Sequence, residues 1–120
     1  LHVSDAATIE AAQLSVGNLV SLARSDRWAA LGRIVARADR LRGYGDFYHY
    51  HRLAAGQLDA VIESDVNILD IAALFVIVTE AGGVFTDLNG QPVSLEIRSV
   101  LAANPGLHGE YLARLRGYVG

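Results

Sequence analysis

Apolar positions change period along this chain, and that change predicts strands interleaved with helices. Residues 1–4 are apolar with one polar interruption and read as an edge strand or a frayed end. Across residues 8–16 the spacing of Ile9, Ala11, Leu14 and Val16 fits a strand or a helix, and the Gly17-Asn18 pair marks a stop. From Ser25 or Asp26 as cap, Trp28, Leu31, Ile34, Val35 and Ala38 recur at helical steps. The opposite face of that helix carries Arg33, Arg37 and Arg40, with Asp26 and Asp39 on the same helix, so a solvated face is expected rather than an anion site.

A second helix opens after the Gly-rich turn Arg42-Gly43-Tyr44-Gly45-Asp46-Phe47. Asp46 stands where a carboxylate can accept first-turn N–H groups, and Phe47, Tyr50, Leu53 and Ala54 give an inward stripe. Gly56 supplies a left-handed stop. His49 and His51 are two positions apart and diverge on a helix, so they read as separate exposed or core-edge histidines, not as a metal pair. Residues 58–63 form a short apolar strand that delivers Glu63 at its C-terminal edge.

The next helix starts near Asn67 and runs to about Ala81, with apolar residues on every side. It is expected to be covered by protein all round. Gly82-Gly83 ends it, residues 84–86 make a strand, and Asp87-Leu88-Asn89-Gly90 is turn chemistry before a returning strand at 91–93. Residues 99–103 read as a buried strand. Asn104-Pro105 then caps a last helix that buries Leu107, Tyr111, Leu112 and Leu115. The fold class predicted is α/β, a layered sandwich with a mixed β-sheet flanked by helices, in one domain over residues 1–120.

Composition narrows the function classes. The apolar share of 52% slightly exceeds the usual level of about 45 to 50%. The longest apolar run, residues 71–78, is far short of the roughly 18 to 20 residues of a membrane span, and no signal-like start is present. A cytoplasmic location without membrane partners is the expectation. A net charge of −3 argues against nucleic acid as the main partner, because phosphate neutralisation dominates that affinity. With no cysteine, a thiolate metal site is excluded. The chain starts at Leu1 and contains no methionine, so it is expected to be a piece of a longer protein.

Three polar groups carry candidate chemistry. Asp70, in the first turn of the apolar helix, admits two readings: an N-terminal acid stabilising the helix dipole, or an oxygen ligand for a hard cation such as Mg²⁺. Glu63 is either a solvated strand end or an acceptor for substrate hydroxyls. Arg42, beside Gly43 and Gly45, is one surface cation among several or a guanidinium placed for phosphate or carboxylate. Gly43-Tyr44-Gly45 lacks the further glycine of a dinucleotide fingerprint.

Taken in order, the hexapeptide at 42–47, the strand ending in Glu63, the Asn67-Ile68-Leu69-Asp70 helix start and Glu80-Ala81-Gly82-Gly83 resemble the C-terminal half of the inositol monophosphatase family. Residues 41–104 or thereabouts carry the resemblance, and the hexapeptide looks most like the histidinol-phosphate phosphatase branch. The resemblance implies a strand within 8–16, Asp70 as a metal ligand, and Arg42, the Gly45 backbone, Asp46 and Glu63 on the substrate side. It further implies a Mg²⁺-dependent phosphomonoesterase acting on a small phosphorylated substrate. Leu69 stands where the family usually has tryptophan. The family's Asp-Pro-x-Asp-Gly-Thr segment and its upstream glutamate are absent. One aspartate cannot hold a metal cluster of this kind, so the chain is expected to be the C-terminal half of a longer two-domain phosphatase, inactive alone and self-associating through apolar surface. The alternative is a non-catalytic binding or assembly module that kept the fold.

Overall fold

The computed structural model describes residues 1–43 and 48–116. Residues 44–47 of the hexapeptide, with the Gly45 and Asp46 of the sequence reading, lie outside the described residues. After a 3-10 turn at Ile9–Ala11 come β1 (Gln13–Gly17), α1 (Leu19–Ala23), α2 (Trp28–Arg37), β2 (Arg40–Arg42), α3 (Tyr48–Ala54), β3 (Ala60–Ser64), α4 (Ile68–Glu80), β4 (Val84–Thr86), β5 (Ser99–Ala103) and α5 (Pro105–Leu115).

The described strands form one mixed sheet in the order β2-β1-β3-β5-β4. β1 runs parallel to both β2 and β3, whereas β5 is antiparallel to β3 and to β4. Alternation along each strand sends side chains to two cores. Leu14, Val16, Ala60, Ile62, Leu101 and Ala103 meet Leu22, Leu31, Ile34, Leu107 and Tyr111 on one face, the side of α1, α2 and α5. Val61, Val100, Ala102 and Phe85 meet Tyr50, Leu53, Ile71, Leu74 and Val78 on the other, the side of α3 and α4. The result is a helix, sheet, helix sandwich, as the period changes predict.

Local chemistry explains several element ends. Asn67 caps α4 by accepting from the backbone N–H of Leu69 at 3.0 Å and of Asp70 at 3.2 Å, and Asn104 caps α5 by accepting from Leu107 at 2.9 Å ahead of Pro105. Gly56 follows α3 with φ +76, a conformation that costs a residue with a Cβ.

Several expectations are corrected. Residues 1–4 form no strand, although Val3 donates to the Ala81 carbonyl at 2.9 Å. Neither Ser25 nor Asp26 occupies the cap position of α2, which is Arg27; Ser25 Oγ instead accepts from the Arg27 N–H at 3.2 Å and donates to the Leu22 carbonyl at 2.7 Å. Arg40 belongs to β2, because α2 stops at Arg37. Residues 91–93 form no strand: Asp87 Oδ1 accepts from the Gln91 N–H at 2.9 Å, and Pro92 has no N–H for a ladder. Nor is α4 covered all round. It buries Ile71, Leu74 and Val78, while Leu69 is 91% and Val76 53% exposed. No helix among the described residues is long and apolar enough to cross a membrane.

Candidate functional site at the C-terminal edge of the parallel strands

β1 is followed by helices on one face of the sheet and its parallel neighbour β3 by α4 on the other. Adjacent parallel strands whose connections leave to opposite faces open a crevice at their C-terminal ends, the usual ligand position in open α/β sheets. Both strand ends turn sharply: Asn18 after β1 and Asp65 after β3 each have φ 59. The Asn18 side-chain amide donates to the Ser64 carbonyl, tying the two ends together.

Three sequence-predicted residues lie at this end of the sheet. Arg42 closes β2 in register with Ser15, Glu63 pairs with Gly17 one pleat further along, and Asp70 occupies the first turn of the helix that leaves β3. Arg42 is half-buried, Glu63 buried and Asp70 exposed. Asp70 therefore faces solvent with both its readings still available: its backbone N–H is capped by Asn67, and its carboxylate sits where the helix dipole favours an anion. Among the described residues, no three histidine, aspartate or glutamate side chains are grouped so as to hold a metal ion. Asp70 is thus at most one ligand, and the chain's described donors do not make a metal site by themselves.

Glu63 is held more tightly than the sequence reading foresaw. Following Val61 on the α3 side of β3, it points beneath α3, where the Tyr50 hydroxyl donates to Oε1 and His49 Nε2 lies 3.3 Å from the same oxygen. His49 Nδ1 in turn lies 3.0 Å from Ser15 Oγ. A carboxylate can only accept, so Nε2 carries the proton toward Glu63, and in the neutral imidazole Nδ1 then accepts from the Ser15 hydroxyl. Burial, reinforced by the Glu63 charge and hydrogen bond, pushes the Tyr50 phenol well above its ordinary 10.0. Tyr50 thereby remains a donor. The other carboxylate oxygen lies over Gly17, where an added Cβ would stand 2.5 Å from Oε2.

This network corrects the expectation for His49, which is fully buried rather than at an exposed or core-edge position. One signal was available for it: Ser15 is a polar residue between Leu14 and Val16, hence on the strand face opposite those two. A hollow lined by His2, Ser4, Gly82, Asn104 and Gly106 contains none of the candidate residues.

Comparison with known proteins agrees with this architecture. The sequence profile described as the inositol monophosphatase family matches residues 2–119. The histidinol-phosphatase of Streptomyces coelicolor is 36% identical over 115 residues, covering 96% of this chain and 43% of that protein. That of Mycobacterium tuberculosis is 37% identical, covering 96% of this chain and 44% of that protein. Among solved structures, a Thermotoga maritima IMPase superposes with a TM-score of 0.85 at 27% identity, covering 98% of this chain and 45% of that one. An inositol monophosphatase from Zymomonas mobilis, at 24% identity and a TM-score of 0.86, supports the fold alone. The chain spans less than half the length of these curated relatives. With its profile match running nearly end to end, the chain belongs to the inositol monophosphatase family.

Proposed function

We propose that this chain supplies the substrate-contacting wall and one metal-ligating carboxylate of a phosphomonoesterase centre whose remaining groups come from a companion segment. The observation that carries the reading is the placement of Arg42, Glu63 and Asp70 at one end of the sheet, beside the crevice between β1 and β3. Arg42 offers a guanidinium matched to a phosphate or carboxylate group. Glu63 offers a fixed acceptor to a hydroxyl or ammonium group on the organic part of the ester. Asp70 contributes an oxygen ligand suited to Mg²⁺, and bound metal would supply charge stabilisation and an activated water. The Gly45 backbone and Asp46 are assigned to the substrate side on the resemblance alone. Histidinol phosphate is the favoured ester class, because two curated relatives matched over 96% of this chain, at 36% and 37% identity, are histidinol-phosphatases.

The test is phosphate release with Mg²⁺ from histidinol phosphate and from inositol 1-phosphate, by the intact protein and by residues 1–120 alone. The intact protein is expected to turn over and the shorter chain not to. Replacing Asp70 by Asn in the intact protein should lower kcat by at least about 100-fold, on the scale of losing metal-held charge stabilisation. Full turnover by the isolated chain, or an Asp70→Asn variant with unchanged kcat, would sink the reading. An intact protein silent toward both esters would favour a non-catalytic module.

A further inference from the structure

Glu63 stands in a buried cradle that a freely solvated acceptor would not need. Two donors from neighbouring positions of α3, the Tyr50 hydroxyl and His49 Nε2 at 3.3 Å, converge on Oε1. The His49 ring is fully buried and its orientation is fixed from behind by Ser15 Oγ at 3.0 Å. The Tyr50 ring is fixed too, packing edge-on against His49 at 4.4 Å and tilted against Phe85 at 5.6 Å between centroids. On the strand side, the missing Cβ of Gly17 makes the space that Oε2 and Cδ occupy, since a methyl there would lie 2.5 Å and 3.0 Å from them. Turning Oε1 away from Tyr50 and His49 would break both hydrogen bonds, and the carboxylate lies close against the Gly17 backbone on its other side.

We propose that His49 and Tyr50, with the space left by Gly17, are positioning residues that saturate Glu63 Oε1 and leave Oε2 as the single acceptor presented to the ligand. The inference rests on the phosphomonoesterase reading above and goes beyond it by assigning a specificity device. A carboxylate with one oxygen occupied by two donors accepts from the ligand through its other oxygen, at a fixed position. It therefore selects phosphate esters whose alcohol part carries a hydroxyl or ammonium donor at a fixed distance from the phosphate, and gives nothing to an ester without such a donor. A mobile carboxylate would accept from many geometries, and its selectivity would be correspondingly low.

The experiment compares histidinol phosphate, whose organic part carries donors, with p-nitrophenyl phosphate, whose organic part carries none, in the intact protein with Mg²⁺. Tyr50→Phe removes one donor, His49→Ala removes the other, His49→Gln restores an N–H, and Gly17→Ala displaces Oε2 without touching either donor. The expected result is a ratio of kcat/KM between the two esters that falls about tenfold in Tyr50→Phe and in Gly17→Ala, mainly through a higher KM for histidinol phosphate, the scale of one charge-assisted hydrogen bond. His49→Gln should lie closer to the parent than His49→Ala. Equal losses on both esters, leaving the ratio unchanged in Gly17→Ala and the His49 pair, would mean a merely structural role and would overturn the positioning role alone. Absence of phosphate release from either ester by the unsubstituted protein would instead remove the phosphatase reading, and the proposal with it. Should Tyr50→Phe fail to fold, the Gly17 and His49 variants decide.

Discussion

His108 shows how a single buried side chain ties stability to pH. Its Nε2 lies 2.8 Å from Thr86 Oγ1, and that hydroxyl already donates to the Asp87 carbonyl at 2.8 Å. Thr86 must therefore accept from Nε2–H, which the neutral imidazole can provide. Burial lowers the pKa of His108 from its ordinary 6.5, so below that value the unfolded chain binds the proton more readily than the folded one. The stability that comes from keeping this ring neutral is complete above pH 6.5 and is lost as pH falls from 6.5 toward the folded value. Glu10, held low by its backbone hydrogen bond and then by Arg37, behaves as a carboxylate and loses its contribution only below its ordinary 4.5, outside this window. Denaturant melts between pH 8 and pH 5 should show a midpoint that drops less in His108→Gln, which keeps the N–H donor without the titrating ring. Equal drops would rule out His108 as the source. Such partnerships are the part least visible in sequence. A strand-end acid such as Glu63 or a first-turn acid such as Asp70 announces itself through neighbouring residues. The buried role of His49 depends on Ser15, thirty-four positions earlier, and on Glu63, fourteen positions later. Spacing between the two histidines on α3 carried no information about either contact.

At the scale of elements, side chains at helix starts do more than end a pattern. Asn104 Oδ1 caps α5, while its Nδ2 donates to the Ala6 carbonyl at 2.9 Å and to Ser4 Oγ at 3.2 Å, joining the helix to the N-terminal segment. Replacing Asn104 by Ala removes the cap and leaves half-buried partners on the N-terminal segment unmet, so a loss of about 2 kcal/mol is expected, the upper end for a cap alone. Asn104→Asp keeps the cap acceptor but not the amide donors and should lose part of that. Thermal or urea melts of the three proteins read the order directly, and an Asp variant as weak as Ala would contradict it. Elements with such local signals were legible: α4, α5, β3 and the Gly56 stop all follow from caps, apolar runs and glycine. α1 was not, because its five residues have an Asn18 cap in the left-handed region without a side-chain capping bond. β2 was not, because its exposed Arg40 and Leu41 and half-buried Arg42 lack strand alternation and are held in place by pairing with β1. Propensity gives way to tertiary pairing in elements this short.

For the whole molecule, the order β2-β1-β3-β5-β4 decides where the site can be, and it arises from pairings between strands distant in sequence that no local pattern encodes. The layered class was legible because helix and strand periods alternate; the crevice between β1 and β3 was not. The same scale explains the uncovered side of α4. Its sequence is apolar all round, as in a helix enclosed by protein, yet Leu69 is 91% and Val76 53% exposed, with Ala72 and Ala73 exposed between them. Positions 69, 72, 73 and 76 fall at helical steps and so form one stripe. An apolar stripe of this kind marks a contact surface, and this chain spans less than half of the length of its curated relatives. In the isolated chain the available cover is a second copy, so residues 1–120 should sediment as a concentration-dependent dimer or larger species. Replacing Leu69 and Val76 together by Glu should return the chain to a monomer while leaving its melting temperature nearly unchanged, because both side chains are largely outside the core. A monomer at high concentration before any substitution would count against the stripe as a contact surface. Restored monomer with a collapsed melting temperature would mean instead that these side chains support the fold itself.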